Sequence, residues 1–139
     1  MSMNHKLRIL TDKFTDDEKH FILAKYPFKE EDLTFYNDAN YFQVHKLYYQ
    51  GFFMGYVVLF LGHNSLDNND ALIEDIGYLR GEELLQPLMY TMLERIKKHK
   101  VLSFPFKQLY YDVDKFDEIY LDIFEALNLQ KIKRNPCRA

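Results

Sequence analysis

The 139-residue chain is 47% apolar and carries a formal net charge of -3, which is ample for one core and too little positive charge for a protein that works by gripping nucleic acid. Its single cysteine, Cys137, excludes a disulfide framework or a cysteine-based metal site within one chain and fits a reducing, cytoplasmic setting. Twelve Phe and 11 Tyr against no Trp predict aromatic-lined surfaces or grooves as well as core.

Residues 1–14 hold no apolar run of signal-peptide length, and the longest apolar run, 52–61, is too short to cross a bilayer. A soluble protein with no membrane role is expected. No linker, repeat or low-complexity tract interrupts the chain, so a single domain over 1–139 is expected.

Residues 6–10 alternate well enough for a first strand. Thr15 followed by Glu18 has the form of a capping box and predicts a helix running to about Lys25, where Pro27 stops it. Residues 28–36 predict a second short helix with acids in its first turn, ahead of the turn-forming 37–40. Residues 41–49 and 52–61 read as an antiparallel hairpin closed by Gln50-Gly51. The second of these strands is apolar on both faces and so central in a sheet. Gly55 inside it marks a bulge or the close approach of another backbone. A polar loop, 62–70, leads onward.

Residues 71–79 predict a buried strand that breaks at Arg80-Gly81. Leu84, Leu85, Leu88, Met89, Met92, Leu93 and Ile96 then form an apolar stripe at helical spacing, the clearest helix in the chain. Pro87 has no amide hydrogen to donate and therefore belongs in the first turn, which sets the helix start near Leu84 or Leu85. The loop before it, 80–83, presents free amides and the positive end of the helix dipole, a place for an anion such as phosphate. An irregular connection, 101–107, and a strand, 108–113, come next. Asp114 is expected to cap a helix carrying Phe116, Ile119, Tyr120, Ile123, Phe124 and Leu127 on one face. Asn128 is set to end that helix in a left-handed conformation with Leu129 packing back, before a last strand over 130–134 and a basic tail. The order of elements predicts an α/β fold: a mixed, mostly antiparallel sheet of about six strands with helices on both faces and a helix crossover to a parallel neighbour.

Three segments in this order resemble the Gcn5-related N-acetyltransferases, across nearly all of the chain. Residues 51–59 (GFFMGYVVL) are similar to that family's hairpin with its Gly-aromatic pair, here Gly55-Tyr56. Arg80-Gly81 before an apolar helix is similar to its acetyl-CoA loop, Arg-Gly-x-Gly-x-Gly/Ala. Residues 124–129 (FEALNL) are similar to the Tyr-Glu-Lys-Leu-Gly-Phe segment that ends its last helix. The resemblance implies acetyl-CoA as co-substrate and transfer of the acetyl group to a small-molecule or peptide amine by direct attack. It places Ile76, Arg80, Gly81, Glu82, Glu83, Leu84, Leu85 and Gln86 at the cofactor.

The pattern also departs from the family. Glu83 and Leu85 stand where it has glycine or a small residue, and Glu82 and Glu83 bring negative charge to a helix N-terminus. Phe124 replaces the tyrosine that protonates the departing thiolate. Tyr120, one turn earlier on the same helix face, is the substitute acid. Glu74 or Asp75 is the family-like position for a base. Strand alternation would put the two on opposite faces, and Glu74 is preferred. These departures support a second reading, a non-catalytic module of the same fold that has lost acetyl-CoA and binds a protein or small ligand through its aromatic surface. An exposed aromatic face would also support a homodimer. His5, His20, His45, His63 and His99 show no metal-ligand spacing, so no metal is expected.

Overall fold

A computed structural model describes residues 6–61, 70–99 and 108–132. The polar loop over 62–69, the connection over 101–107, and residues 133–139, with the basic tail and the last two positions of the expected final strand, lie outside the described residues.

Six strands form one sheet in chain order: β1 (Leu7–Thr11), β2 (Phe42–Tyr49), β3 (Phe52–Phe60), β4 (Asp70–Tyr78), β5 (Gln108–Asp112) and β6 (Gln130–Ile132). β1 to β4 are antiparallel, and β5 and β6 each run parallel to the strand before. The helices are α1 (Asp16–Lys25), α2 (Glu30–Tyr36), α3 (Leu85–His99) and α4 (Glu118–Ala126).

Local chemistry accounts for most boundaries. Thr15 and Glu18 form the reciprocal capping box at α1, with the Thr15 amide donating to Glu18 Oε1 at 2.8 Å and the Glu18 amide to Thr15 Oγ1 at 3.2 Å. Gln50 and Gly51 both take positive φ, 52° and 84°, the geometry that matches a two-residue turn to twisted strands. Pro87 falls in the first turn of α3, which begins at Leu85. At the end of α4, Asn128 has φ 56°, its amide donates to the Glu125 carbonyl and the Leu129 amide to that of Phe124, both at 3.0 Å. That pair of bonds is a Schellman motif.

Asp114 does not cap α4. The helix starts later, at Glu118, with Asp117 at the cap position, and Phe116 lies in the preceding turn. Asp112 accepts the Asp114 amide at 2.9 Å, so the chain turns through residues 113–116 before it can enter a helix.

Both faces of the sheet are covered, each by its own core. On one, Leu88, Met89, Met92 and Leu93 of α3 and Ile123 and Phe124 of α4 pack on Leu47, Val57, Leu59, Ile73 and Ile76. On the other, Ile22 of α1 and Leu33 and Tyr36 of α2 pack on Phe42, Val44, Tyr56 and Val58. β3 feeds alternate residues to each, as a strand apolar on both faces must.

Two departures from regular pairing shape the sheet. Tyr48 pairs with Phe53 and Leu47 with Gly55, so Met54 is an extra residue in β3. Gly55 lies there so close to β4 that an added Cβ would stand 2.5 Å from the Gly77 carbonyl oxygen. In β4, Val58 pairs with Asp75 but Leu59 with Ile73, which leaves Glu74 as the extra residue. This bulge is why Ile73 and Ile76, three positions apart, share the α3 core. β4 also parts from β5 here. Among the described residues Asp70, Ala71 and Leu72 pair across, and 73–78 run on without a β5 partner. The described residues contain no helix long and apolar enough to cross a membrane.

Candidate functional site

The corner between β4 and α3 is built around Gly81, whose φ of 75° reverses the chain. A 3-10 turn, Glu82–Leu84, follows it. The Leu84 amide donates to the Gly81 carbonyl at 2.8 Å, the Tyr78 hydroxyl to the same oxygen at 2.9 Å, and the Leu85 amide to the Glu82 carbonyl. The Glu82 and Glu83 amides open the turn and have no acceptor within it.

Leu85, at a position where the resemblance asks for a small residue, is buried in the α3 core, and Leu84 is half-buried against it. Neither side chain closes the corner. The carboxylates bear on it more. Glu83 Oε1 lies 3.9 Å from where a Gly81 Cβ would be, and Glu82 is exposed, 3.4 Å from Lys25 Nζ. Burial and these two carboxylates push the Tyr78 hydroxyl up to about 12. The Arg80 guanidinium turns away to rest 5.6 Å from the Phe21 ring centroid and 5.5 Å from that of Phe52.

Along β4 lies a polar cluster. Lys29 Nζ is 2.8 Å from both oxygens of Asp75 and 3.0 Å from the Tyr56 hydroxyl, which is 3.2 Å from Asp75 Oδ2. Burial, then the Asp75 charge, raises the Tyr56 hydroxyl far above its ordinary value. Tyr36 rises for the same two reasons, with Asp32 and Glu74 adding to them. Beside the cluster, Lys25 Nζ and the Tyr26 hydroxyl both donate to the Tyr78 carbonyl, at 2.7 and 3.0 Å.

The bulge corrects the expectation for Glu74 and Asp75. They do not part to opposite faces: Asp75 meets Tyr36 and Tyr56, and Glu74 lines a groove that Tyr36 also borders. Glu74 pairs with Lys115 at 2.7 Å and keeps 18% of its side chain exposed. Tyr120 is half-buried in the first turn of α4. Burial, then Tyr26 and the charges of Asp117, Glu82 and Asp75, raise its hydroxyl, so it stays protonated at neutral pH. Phe124 is fully buried, 4.6 Å from the Tyr111 ring and 5.3 Å from that of Phe116, and serves as core. Tyr120 thus lies within electrostatic reach of Tyr26, Asp117, Glu82 and Asp75. Ile76 sits in the wall of β4, and Gln86 is exposed in the first turn of α3.

No family model matches the sequence, and no curated protein matches it. Solved structures do. Over 96% of this chain and 97% of theirs, aminoglycoside acetyltransferase AAC(6')-Iy in complex with a CoA bisubstrate analogue superposes with a TM-score of 0.61 at 16% identity, and a possible acetyltransferase of Clostridium difficile 630 with 0.69 at 12%. An aminoglycoside acetyltransferase from an uncultured soil metagenomic sample, in complex with sisomicin, gives 0.68 at 14% identity over 96% of this chain and 95% of its own. The chain has the Gcn5-related N-acetyltransferase fold.

Within that fold, Lys29, Tyr36, Tyr26 and Lys115 are polar residues at the site that motif reading passed over. One signal was present for the cluster: Gly77, one residue before the end of β4, marks the place where the Tyr56 ring lies against the backbone. No group of three or more His, Cys, Asp or Glu side chains converges on a cation site among the described residues.

Proposed function

We propose that the chain is an acyl-CoA-dependent N-acetyltransferase acting on the amine of a small molecule or peptide. The observation that carries this reading is the end of β4–β5 pairing at Leu72, next to a bulge carrying Glu74, with Tyr120 kept protonated within electrostatic reach of Asp75 and Glu82. The turn after Gly81 suits a diphosphate ester, because the amides that open a helical turn have no acceptor within it, and Leu85 packs inward. Ile76, Arg80, Gly81, the Glu82 and Glu83 amides, Leu84, Leu85 and Gln86 are the residues that would hold acetyl-CoA, which supplies an activated thioester when bound. Glu74 takes the proton of the incoming ammonium, directly or through water. Tyr120 holds a proton for the leaving sulfur.

The charge of Glu82 and Glu83 favours a second reading, a binding module of this fold without acetyl-CoA, since two carboxylates beside the turn would repel a diphosphate. Thermal melting with and without acetyl-CoA separates the two. A ligand at a hundred times its dissociation constant adds about 2.7 kcal/mol of apparent stability. A melting point unmoved by millimolar acetyl-CoA retires the enzyme reading and leaves the second.

A further inference from the structure

A groove of about 620 Å³ opens between α2, the start of β2, the end of β3 and the middle of β4, within the size range of small-ligand sites. Its walls are aromatic. Phe42 is the hub, with ring centroids of Phe35 at 5.1 Å, Tyr36 at 5.2 Å and Phe60 at 5.3 Å, the first two edge-on. Such contacts hold the rings in place before any ligand arrives. Phe35 on α2 and Tyr41 in the turn before β2 remain 57% and 47% exposed, so the rim presents apolar surface that nothing among the described residues covers.

Two carboxylates complete the lining, Asp32 on α2 and Glu74 at the β4 bulge. Aromatic faces and carboxylates together are the surroundings that suit an ammonium. Among the described residues these two are the carboxylates that line the groove, and Glu74 already meets Lys115 at 2.7 Å, so a single further ammonium matches the charge they offer. A polycation would press its further charges onto rings that offer no carboxylate, at a desolvation cost.

We infer that this groove is the acceptor site and that it selects a primary monoamine carried on a flat apolar group over polycationic sugars. The inference rests on the acyltransferase reading, because Glu74 joins the groove to the bulge where the acetyl group would be delivered. Asp32 and Glu74 hold the ammonium, and Phe35, Phe42 and Tyr41 hold the apolar group.

The test is calorimetric titration of the full chain, without acetyl-CoA, with 2-phenylethylamine and with kanamycin as the polycationic comparison. The expected result is that 2-phenylethylamine binds more tightly than kanamycin, and that Phe35→Ala and Asp32→Asn each weaken it about tenfold, a loss of about 1.4 kcal/mol. Both positions are exposed, so each free variant should still melt cooperatively, Phe35→Ala slightly lower for the lost edge-on contact with Phe42. No binding, tighter binding of kanamycin, or unchanged affinity in both variants overturns the inference. If acetyl-CoA raises the melting point but 2-phenylethylamine does not bind, the groove assignment falls and the enzyme reading stands. If the amine binds as expected while acetyl-CoA has no effect, the recognition stands and the acyltransfer it was meant to serve falls.

Discussion

Lys29 Nζ meets both carboxylate oxygens of Asp75 at 2.8 Å, with only 12% and 13% of the two side chains exposed. The pair fastens the turn after Pro27 to the middle of β4, 46 positions away. Removing one member strands the other charge among tyrosines. Lys29→Met is therefore expected to cost about 3 kcal/mol in urea denaturation, and the double variant Lys29→Met, Asp75→Asn less than the sum of its parts. A single-variant loss under about 0.5 kcal/mol would mean that water already satisfies both groups.

Gly77→Ala should disturb the same cluster from beneath. A Cβ there would lie 2.2 Å from Tyr56 Cε2 and 2.8 Å from its hydroxyl oxygen, and Tyr56 is fully buried. The ring has no open side to move into, so a loss of about 2 kcal/mol is expected, with a perturbed near-ultraviolet tyrosine spectrum. Wild-type stability would show that β4 can shift as a unit.

Two buried groups set the acid stability. His45 is 1% exposed, its ring nitrogens 3.1 Å from Thr11 Oγ1 and 3.2 Å from Gln43 Oε1, and burial pushes it from 6.5 down to about 4. Between those values the unfolded chain binds a proton that the folded one refuses. Stability is therefore complete above pH 6.5 and falls toward pH 4, by on the order of 3 kcal/mol in the limit. Burial would raise Glu18, but the Thr15 amide, the Tyr48 hydroxyl and Lys46 outweigh it and hold it below its usual 4.5. Its contribution is present above that value and lost as pH falls through the depressed one. Urea denaturation at stepped pH should show both limbs, and Glu18→Gln should remove only the lower.

Glu82 and Glu83 should weaken acetyl-CoA binding without abolishing it. Their joint replacement by Gln is expected to tighten the dissociation constant about threefold to tenfold at low salt, with less gain at high salt, because exposed charges are screened. An unchanged constant would place the diphosphate elsewhere.

Glu74→Gln and Tyr120→Phe are each expected to lower turnover about a hundredfold while leaving the stabilisation by acetyl-CoA intact. Neither change alters side-chain volume much. Undiminished turnover in either variant would remove that residue from the proton path.

Much of this architecture is written in short-range terms. The Thr15–Glu18 box, the Gln50-Gly51 turn, Pro87 in the first turn of α3 and the Asn128 terminus each depend on bonds or clashes within a few residues, and the two-faced β3 and the apolar stripe of α3 depend on periodicity alone. Asp114 differs because a carboxylate ahead of an apolar stripe serves equally as a helix cap or as a turn acid, and here the chain turns through residues 113–116 before α4 starts at Glu118. The bulge at Glu74 is of another kind. It exists only in the pairing of β4 with Val58 and Leu59, so no reading of residues 71–79 by themselves shows that two neighbouring carboxylates share a face. Lys29 with Asp75, Lys115 with Glu74, and the inward turn of Leu85 were likewise decided by the packing of distant segments, whose register a local pattern does not encode.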